Sequence, residues 1–352
     1  MLPTAQTQAP IPNLADPVPA GASRVRVLVP GAALAAGIAV AATVVGGHVP
    51  VVGAPVIAIV TGIAVAAVRR PGPRLRPGIA FTGKRVLQAS IVTLGTGLSL
   101  GQVLSTGGRS LPVLLGTLVA ALAVAWAAGR ALGLPGDLRT LIGVGTAICG
   151  ASAIAATDAV IGAEEADVSY AIATIFTFNV AAVLLFPTIG HAFGLAPHSF
   201  GLWAGTAVND LSSVVAAATV YGHGATSYAV IVKLTRTLAI VPIALALAAR
   251  RGAHRTGAGA TQRLRRIVPL FIVGFVAAVA VNTAGMVPAA WHRPLSDAAT
   301  FMITAALAAI GLSTDVHHIR RAGVRPLALG AVLWITVGLT SLGLQAATGT
   351  LH

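Results

Sequence analysis

Eleven times along the chain a run of roughly twenty residues passes with almost no charge, and this repetition constrains the fold more than any other feature. The runs cover about 26–46, 51–68, 86–104, 111–133, 140–160, 168–190, 199–219, 225–249, 267–287, 296–314 and 325–347. Wound as an α-helix, such a run matches the ~30 Å hydrocarbon layer of a bilayer, whereas barrel strands would alternate over about ten residues. The expected fold class is an all-α polytopic membrane protein with about eleven transmembrane helices. Because the third and tenth runs are weakly apolar, a count of ten stays open. Composition agrees: 9% of the 352 residues are charged, against roughly 25% in soluble domains. The one cysteine, Cys149, provides neither a disulfide framework nor a thiolate metal cluster.

A net charge of +14 could suggest nucleic acid, but the basic residues sit in short clusters between apolar runs, as in Arg69 to Arg85 and Arg250 to Arg266. Clusters of this kind fix topology at a membrane face. With the N-terminus inside, 19 Lys and Arg residues are cytoplasmic, Arg109 and Arg293 are external, and Lys233 and Arg236 lie within a span. The split predicts a cytoplasmic N-terminus, an external C-terminus and an odd number of spans. Loops near residues 75, 258 and 320 are expected inside, and those near 165 and 292 outside. Residues 1–24, rich in Pro, Ala and Gln, read as a disordered cytoplasmic tail without the apolar core of a signal peptide. Residues 25–352 read as a single transmembrane domain.

Two internal echoes appear. Gly97-Leu98-Ser99 with Pro112, Leu115 and Gly116 recurs as Gly311-Leu312-Ser313 with Pro326, Leu329 and Gly330. The paired segments are seven spans apart, so they run in opposite senses, as in inverted repeats of transporters. Gly145-Thr146-Ala147-Ile148 to Ser152 recurs as Gly205-Thr206-Ala207-Val208 to Ser212. In both, small and polar residues replace Leu and Val, which predicts interrupted helices whose freed backbone groups face protein or a watery cavity. Charge counting gives these two spans one orientation, so re-entry of a segment stays open.

Polar residues inside the spans are few. Asn209, Asp210, Ser212 and Ser213 sit in the seventh segment, and Lys233 and Arg236 in the eighth, three residues apart and on one helical face. Each charge costs about 2.5–3.5 kcal/mol at the bilayer centre on insertion scales, which points to an aqueous site. The competing readings are a salt bridge from Asp210 that pins two helices, or a snorkelling Lys233. Around Gly150 and Ser152, a broken helix could offer its amides to an anion; close packing of small residues accounts for the same run. Asn179 and Asn282 read as interhelical hydrogen bonds, and Cys149 as a packing residue. Phosphate-loop, G-x-S-x-G, H-E-x-x-H and Cys-x-x-Cys motifs are lacking, so neither enzyme activity nor a cofactor or metal is expected. His317-His318 beside Arg320-Arg321 reads as a solvated turn.

The run Gly145-Thr-Ala-Ile-Cys-Gly-Ala-Ser-Ala-Ile-Ala-Ala156, with Tyr170 to Phe176, Phe178-Asn179 and Phe186-Pro187, resembles the YeiH-type family of proposed sulfate exporters. So do Phe200-Gly-Leu-Trp-Ala-Gly-Thr-Ala-Val-Asn-Asp210, Ser212 to Ala217, Tyr221-Gly222, Lys233-Leu-Thr-Arg236 and Gly311 to Asp315. The likeness covers the chain from about residue 25 onward. Leu211 departs from it, standing where a Thr follows the Asn-Asp pair. The resemblance implies a multi-pass protein of the bacterial inner membrane, similar in fold to ion-coupled transporters with inverted repeats and broken crossing helices. The expected function is secondary export of a small anion such as sulfate or a sulfonate, coupled to a proton or Na+. Lys233, Arg236, Gly150, Ser152, Asn209, Ser212 and Ser213 would contact substrate, and Asp210 would couple the ion. A cation/proton antiporter using Asp210 and Lys233 is the alternative, and a sensor or scaffold without transport is another. Nucleic acid is not an expected partner, the lipid bilayer is, and assembly as a homo-oligomer stays open.

Overall fold

In the computed structural model, residues 24–48, 53–222, 224–239, 243, 246–247, 270–313 and 323–351 are described. Most of the predicted tail, the second half of the eighth segment, the basic cluster around residue 258 and the His317-His318 turn lie outside the described residues. Among the described residues every regular element is helical. Five helices are long and apolar enough to cross a membrane: α1 (Arg24–His48), α5 (Leu100–Ala131), α8 (Glu165–Ala192), α13 (Ala289–Ser313) and α14 (Val324–Ala347). Shorter helices are α2 (Gly53–Val68), α3 (Arg76–Phe81), α4 (Leu87–Gly95) and α12 (Leu270–Thr283). A π-turn over Thr82–Val86 joins α3 to α4 in one rod.

That rod corrects the third and fourth segments. The helix starts ten residues before the expected 86 and stops at Gly95, and α5 begins at Leu100. The stop is written in a capping box: Ser99 accepts from the Gln102 amide at 3.2 Å, while the Gln102 side chain accepts from the Ser99 amide at 2.9 Å. Gly97-Leu98-Ser99 is therefore a turn, whereas its echo Gly311-Leu312-Ser313 closes a helix. Asn282 of α12 donates to the Leu98 carbonyl of this turn at 3.1 Å, so the expected interhelical bond runs from a helix to a turn.

The count of eleven crossings changes at the fifth and seventh segments, for which re-entry was left open. Both are interrupted, but each folds back on itself. The fifth is α6 (Gly136–Ala147) and α7 (Ala151–Ile161), with a break over residues 148–150. Laid end to end, these halves would separate Leu138 from Ile161 by about 35 Å at 1.5 Å per residue. Instead Leu134, Leu138 and Ile161 share one apolar cluster, and Asp137 lies within electrostatic reach of Asp167. The seventh segment is α9 (Pro197–Ala207) and α10 (Leu211–Tyr221). Here the Tyr221 hydroxyl at the end of α10 donates to the Leu195 carbonyl ahead of α9, and the Tyr221 ring stacks 3.7 Å from Phe200. Helix α8, about 42 Å long at 28 residues, carries one hairpin at each end, so the two enter the bundle from opposite faces. The loop over residues 162–164 accordingly shares a face with the start of α6, and α11 (Ala225–Thr237) leaves from the opposite face.

Helices α1 to α4, α12 and α13 pack as one group, and α5 to α11 with α14 as another. In the first group, backbones touch at glycine pairs where no Cβ fits: Gly31 on Gly78, and Gly62 on Gly311. The groups meet chiefly where α10 faces α2 and α13, along an apolar seam that includes Ile59, Val215, Ala216, Ile303 and Leu307.

Single cysteines at Glu164 and His198 test the hairpins. In a Cys149→Ser background an impermeant thiol reagent should label them from opposite faces, with Glu164→Cys on the face of residue 75. Labelling of Glu164→Cys from the face opposite residue 75 would restore the crossing segments.

Candidate functional site

The two hairpin tips meet in the middle of the second group. A Cβ on Gly150 would lie 3.4 Å from the Asp210 Cβ. Gly150 itself has φ +68°, a left-handed conformation that favours glycine. It lets the chain reverse within three residues. On the other tip the reversal is carried by the extended backbone of Val208 and Asp210.

Reversal leaves carbonyls of the terminal turns without intrahelical partners, in a setting without water. The basic pair on α11 supplies them. Lys233 Nζ donates to the carbonyls of Ile148 and Val208, both at 2.8 Å. Arg236 Nε donates to the Ala147 carbonyl at 2.6 Å and Nη2 to the Thr146 carbonyl at 3.2 Å. Lys233 is 0% exposed and Arg236 2%. Hydrogen bonds to charged groups contribute about 1.5–3 kcal/mol each, comparable with the insertion cost of the cations. Among the described residues the Asp210 carboxylate accepts from Ser213 alone, and neither cation pairs with it. The bundle is pinned here by charge against helix C-termini rather than by a salt bridge. A snorkelling Lys233 is likewise replaced: its ammonium points into the bundle.

Asp210 instead caps its own hairpin arm. Its oxygens accept from the Ser213 amide at 2.9 and 3.3 Å and from the Ser213 hydroxyl at 2.8 Å, an N-cap for α10. The carboxylate also lines a cavity of about 110 Å³ on the seam between the two helix groups. Its other polar walls are Ser212 and Ser213. The apolar walls are Phe176, Val180, Val183 and Leu184 of α8, with Ile59 and Ile63 of α2 and Ile310 of α13.

The sequence candidates thus divide. Asp210, Ser212 and Ser213 share the cavity. Lys233 and Arg236 stand behind it, bracing the tips, and Arg236 Nη1 is buried without a hydrogen-bond partner. Asn209 is buried, its amide held by Asn179 Oδ1 at 3.1 Å and its own Oδ1 without a partner. Gly150 forms the opposing tip, and Ser152 is exposed on α7, away from this cavity. Cys149 is buried in an apolar cluster with Ile148, Ala153 and Val208. Asn179 was legible only as an interhelical bond; the isoleucine wall carried no sequence signal beyond hydrophobicity. No group of His, Cys, Asp and Glu among the described residues could hold a metal.

These features define an all-helical, membrane-spanning protein with two opposed hairpins meeting at one carboxylate. A family model described as conserved hypothetical protein 698 matches residues 30–330, and the chain belongs to this family, the YeiH family. It is similar to a UPF0324 membrane protein of Streptococcus pneumoniae serotype 4, at 42% identity over 311 residues, covering 86% of this chain and 92% of the relative. A UPF0324 membrane protein of Streptococcus mutans is 41% identical over 324 residues, covering 89% and 95%. One from Streptococcus agalactiae serotype V is 41% identical over 329 residues, covering 92% and 98%.

Two substitutions separate bracing from cavity. Lys233→Met leaves two buried carbonyls without donors, so purified protein should lose about 3 kcal/mol or more of stability and melt markedly earlier. Asp210→Asn keeps a side-chain oxygen for the cap, and Asn caps as well as Asp, so its melting temperature should stay near wild type.

Proposed function

We propose that the protein is a secondary active transporter in which Asp210 takes up and releases a proton or Na+ as access to the site alternates. The observation that carries this reading is the position of Asp210. It is the carboxylate at the meeting point of two opposed hairpins, and it opens into a cavity on the seam between two packed helix groups. An apolar seam with few contacts is where one group can shift against the other.

The equivalent bounds of the two hairpin units lie 60 residues apart: Ala147 and Ala207, Ala151 and Leu211, Ile161 and Tyr221, Glu165 and Ala225. Their opposite entry supports an inverted repeat over these units. Losing two crossings leaves the number odd, so the charge pattern still supports a cytoplasmic N-terminus and an external C-terminus in a bacterial membrane.

For substrate we propose a small anion, sulfate or a sulfonate, moved outward. Lys233 and Arg236 place positive charge behind the tips, and the unpartnered Arg236 Nη1 is a donor that an anion could engage. The polar wall of the cavity favours a second reading, cation/proton antiport: Asp210, Ser212 and Ser213 offer oxygen ligands to a cation.

Purified protein in liposomes decides between them. The first reading expects flux of labelled sulfate or taurine driven by a proton or sodium gradient, abolished in Asp210→Asn although that variant is folded. Sodium- or lithium-driven proton movement indifferent to sulfate would favour the second. A folded Asp210→Asn with undiminished coupled flux would overturn both, and no flux of any of these solutes in the wild type would leave the scaffold reading standing.

A further inference from the structure

A second concavity lies between α5 and α6 and shares no lining residue with the Asp210 cavity. Its volume is about 290 Å³, and its walls are Leu122, Ala125 and Trp126 of α5, Arg139, Thr140, Gly143 and Val144 of α6, with Ile243, Ala246 and Leu247. The groove is polarised along its length. On α5, Leu122, Trp126 and Arg130 are spaced i, i+4, i+8 and so share a face. On α6, Arg139 and Gly143 share a face in the same way. Since α5 and α6 join through the short turn at residues 132–135, Arg130 and Arg139 stand at the same end. Arg325 of α14 reaches this turn too, its guanidinium 3.8 Å from where a Cβ on Gly133 would lie. Below the arginines the walls are apolar apart from Thr140. The α5 surface running onward through Val119 and Leu115 is exposed, at 62% and 58%, as is Trp126 at 62%. The groove therefore opens sideways to the surroundings of the helices.

We propose that this groove binds an anionic phospholipid, its phosphate between Arg130 and Arg139 and an acyl chain against Leu122, Trp126 and Val144. Three observations select this occupant. Cations sit at one end only, which suits an amphiphile and not a wholly apolar guest. The charge clustering of the sequence puts this end at the cytoplasmic face, where basic pockets between helices take acidic head groups. Trp126 lies one helical turn from the arginine level, the depth at which indole rings settle in a bilayer. Asp137, the acidic residue on the first turn of α6, sits two residues from Arg139 and so points to a different side of that helix. The proposal is independent of any transport activity.

The test uses the full chain purified in mild detergent, with native mass spectrometry and thermal unfolding as readouts. Wild type should retain phosphatidylglycerol in preference to phosphatidylcholine, and added phosphatidylglycerol should raise its melting temperature. Each arginine near an acidic surface is worth roughly fivefold in affinity. Arg130→Gln/Arg139→Gln should therefore bind phosphatidylglycerol about 25-fold more weakly, while Arg130→Lys/Arg139→Lys keeps the preference. If the double neutral variant does not fold, Arg130→Gln alone, at an exposed position, should show the single fivefold loss. Equal retention of the two lipids by wild type would overturn the proposal. So would an unchanged phosphatidylglycerol response in the neutral variants. Inorganic phosphate reproducing the full stabilisation would overturn it as well, by showing that an ion without chains suffices.

Discussion

Everything at the centre of this bundle depends on one ammonium group that satisfies two helix ends at once. Lys233 bonds the carbonyls of Ile148 and Val208, which occupy equivalent places on hairpins entering from opposite faces. A chain reversal inside a membrane exposes carbonyls that water cannot reach, and each unsatisfied group there costs several kcal/mol. The lysine makes both reversals tolerable and fixes the distance between them. Arg236, one turn further along α11, completes the same task for Ala147 and Thr146. The buried charges are thus a condition of the fold before they are anything else, and the carboxylate of Asp210 is left to face the cavity.

This division explains why buried charge alone was an ambiguous guide. A cation on an apolar helix signals a polar environment, but the environment here is mostly backbone. Sequence pattern can locate Lys233 and Arg236, since residue type and spacing are local. Their partners are carbonyls 25 to 90 residues away, and carbonyls look alike at every position. Asp210 was legible as a polar residue in an apolar run, but its role as the N-cap of α10 was not.

Helical class, the interruptions at 148–150 and 208–210, and most span positions could be read from hydrophobic runs and from small polar residues within them. The re-entry of both interrupted segments could not be, and the reason is specific. Between Arg139 and Lys233 the chain has no lysine or arginine. Charge counting therefore has no marker on either side of α8, and the loss of two crossings leaves every flanking basic residue on its original face. The acidic loop around Glu164 and the loop at residues 193–196 change sides; acidic residues contribute little to topology, and the second loop carries no Lys, Arg, Asp or Glu. The start of α5 was a different kind of miss. Arg109 suggested a loop, while the Ser99 and Gln102 cap, a local signal, marked the true helix start.

The 60-residue correspondence between hairpins places Gly150 opposite Asp210, so one tip has a carboxylate where the other has no side chain. This asymmetry sets a stoichiometric ceiling. In the transport reading proposed above, coupling through this one acidic group would neutralise no more than one elementary charge in each turnover, however symmetrical the surrounding backbone. A membrane potential of 100 mV then contributes at most about 2.3 kcal/mol per cycle through this group, which bounds the concentration ratio it alone could sustain to roughly fiftyfold.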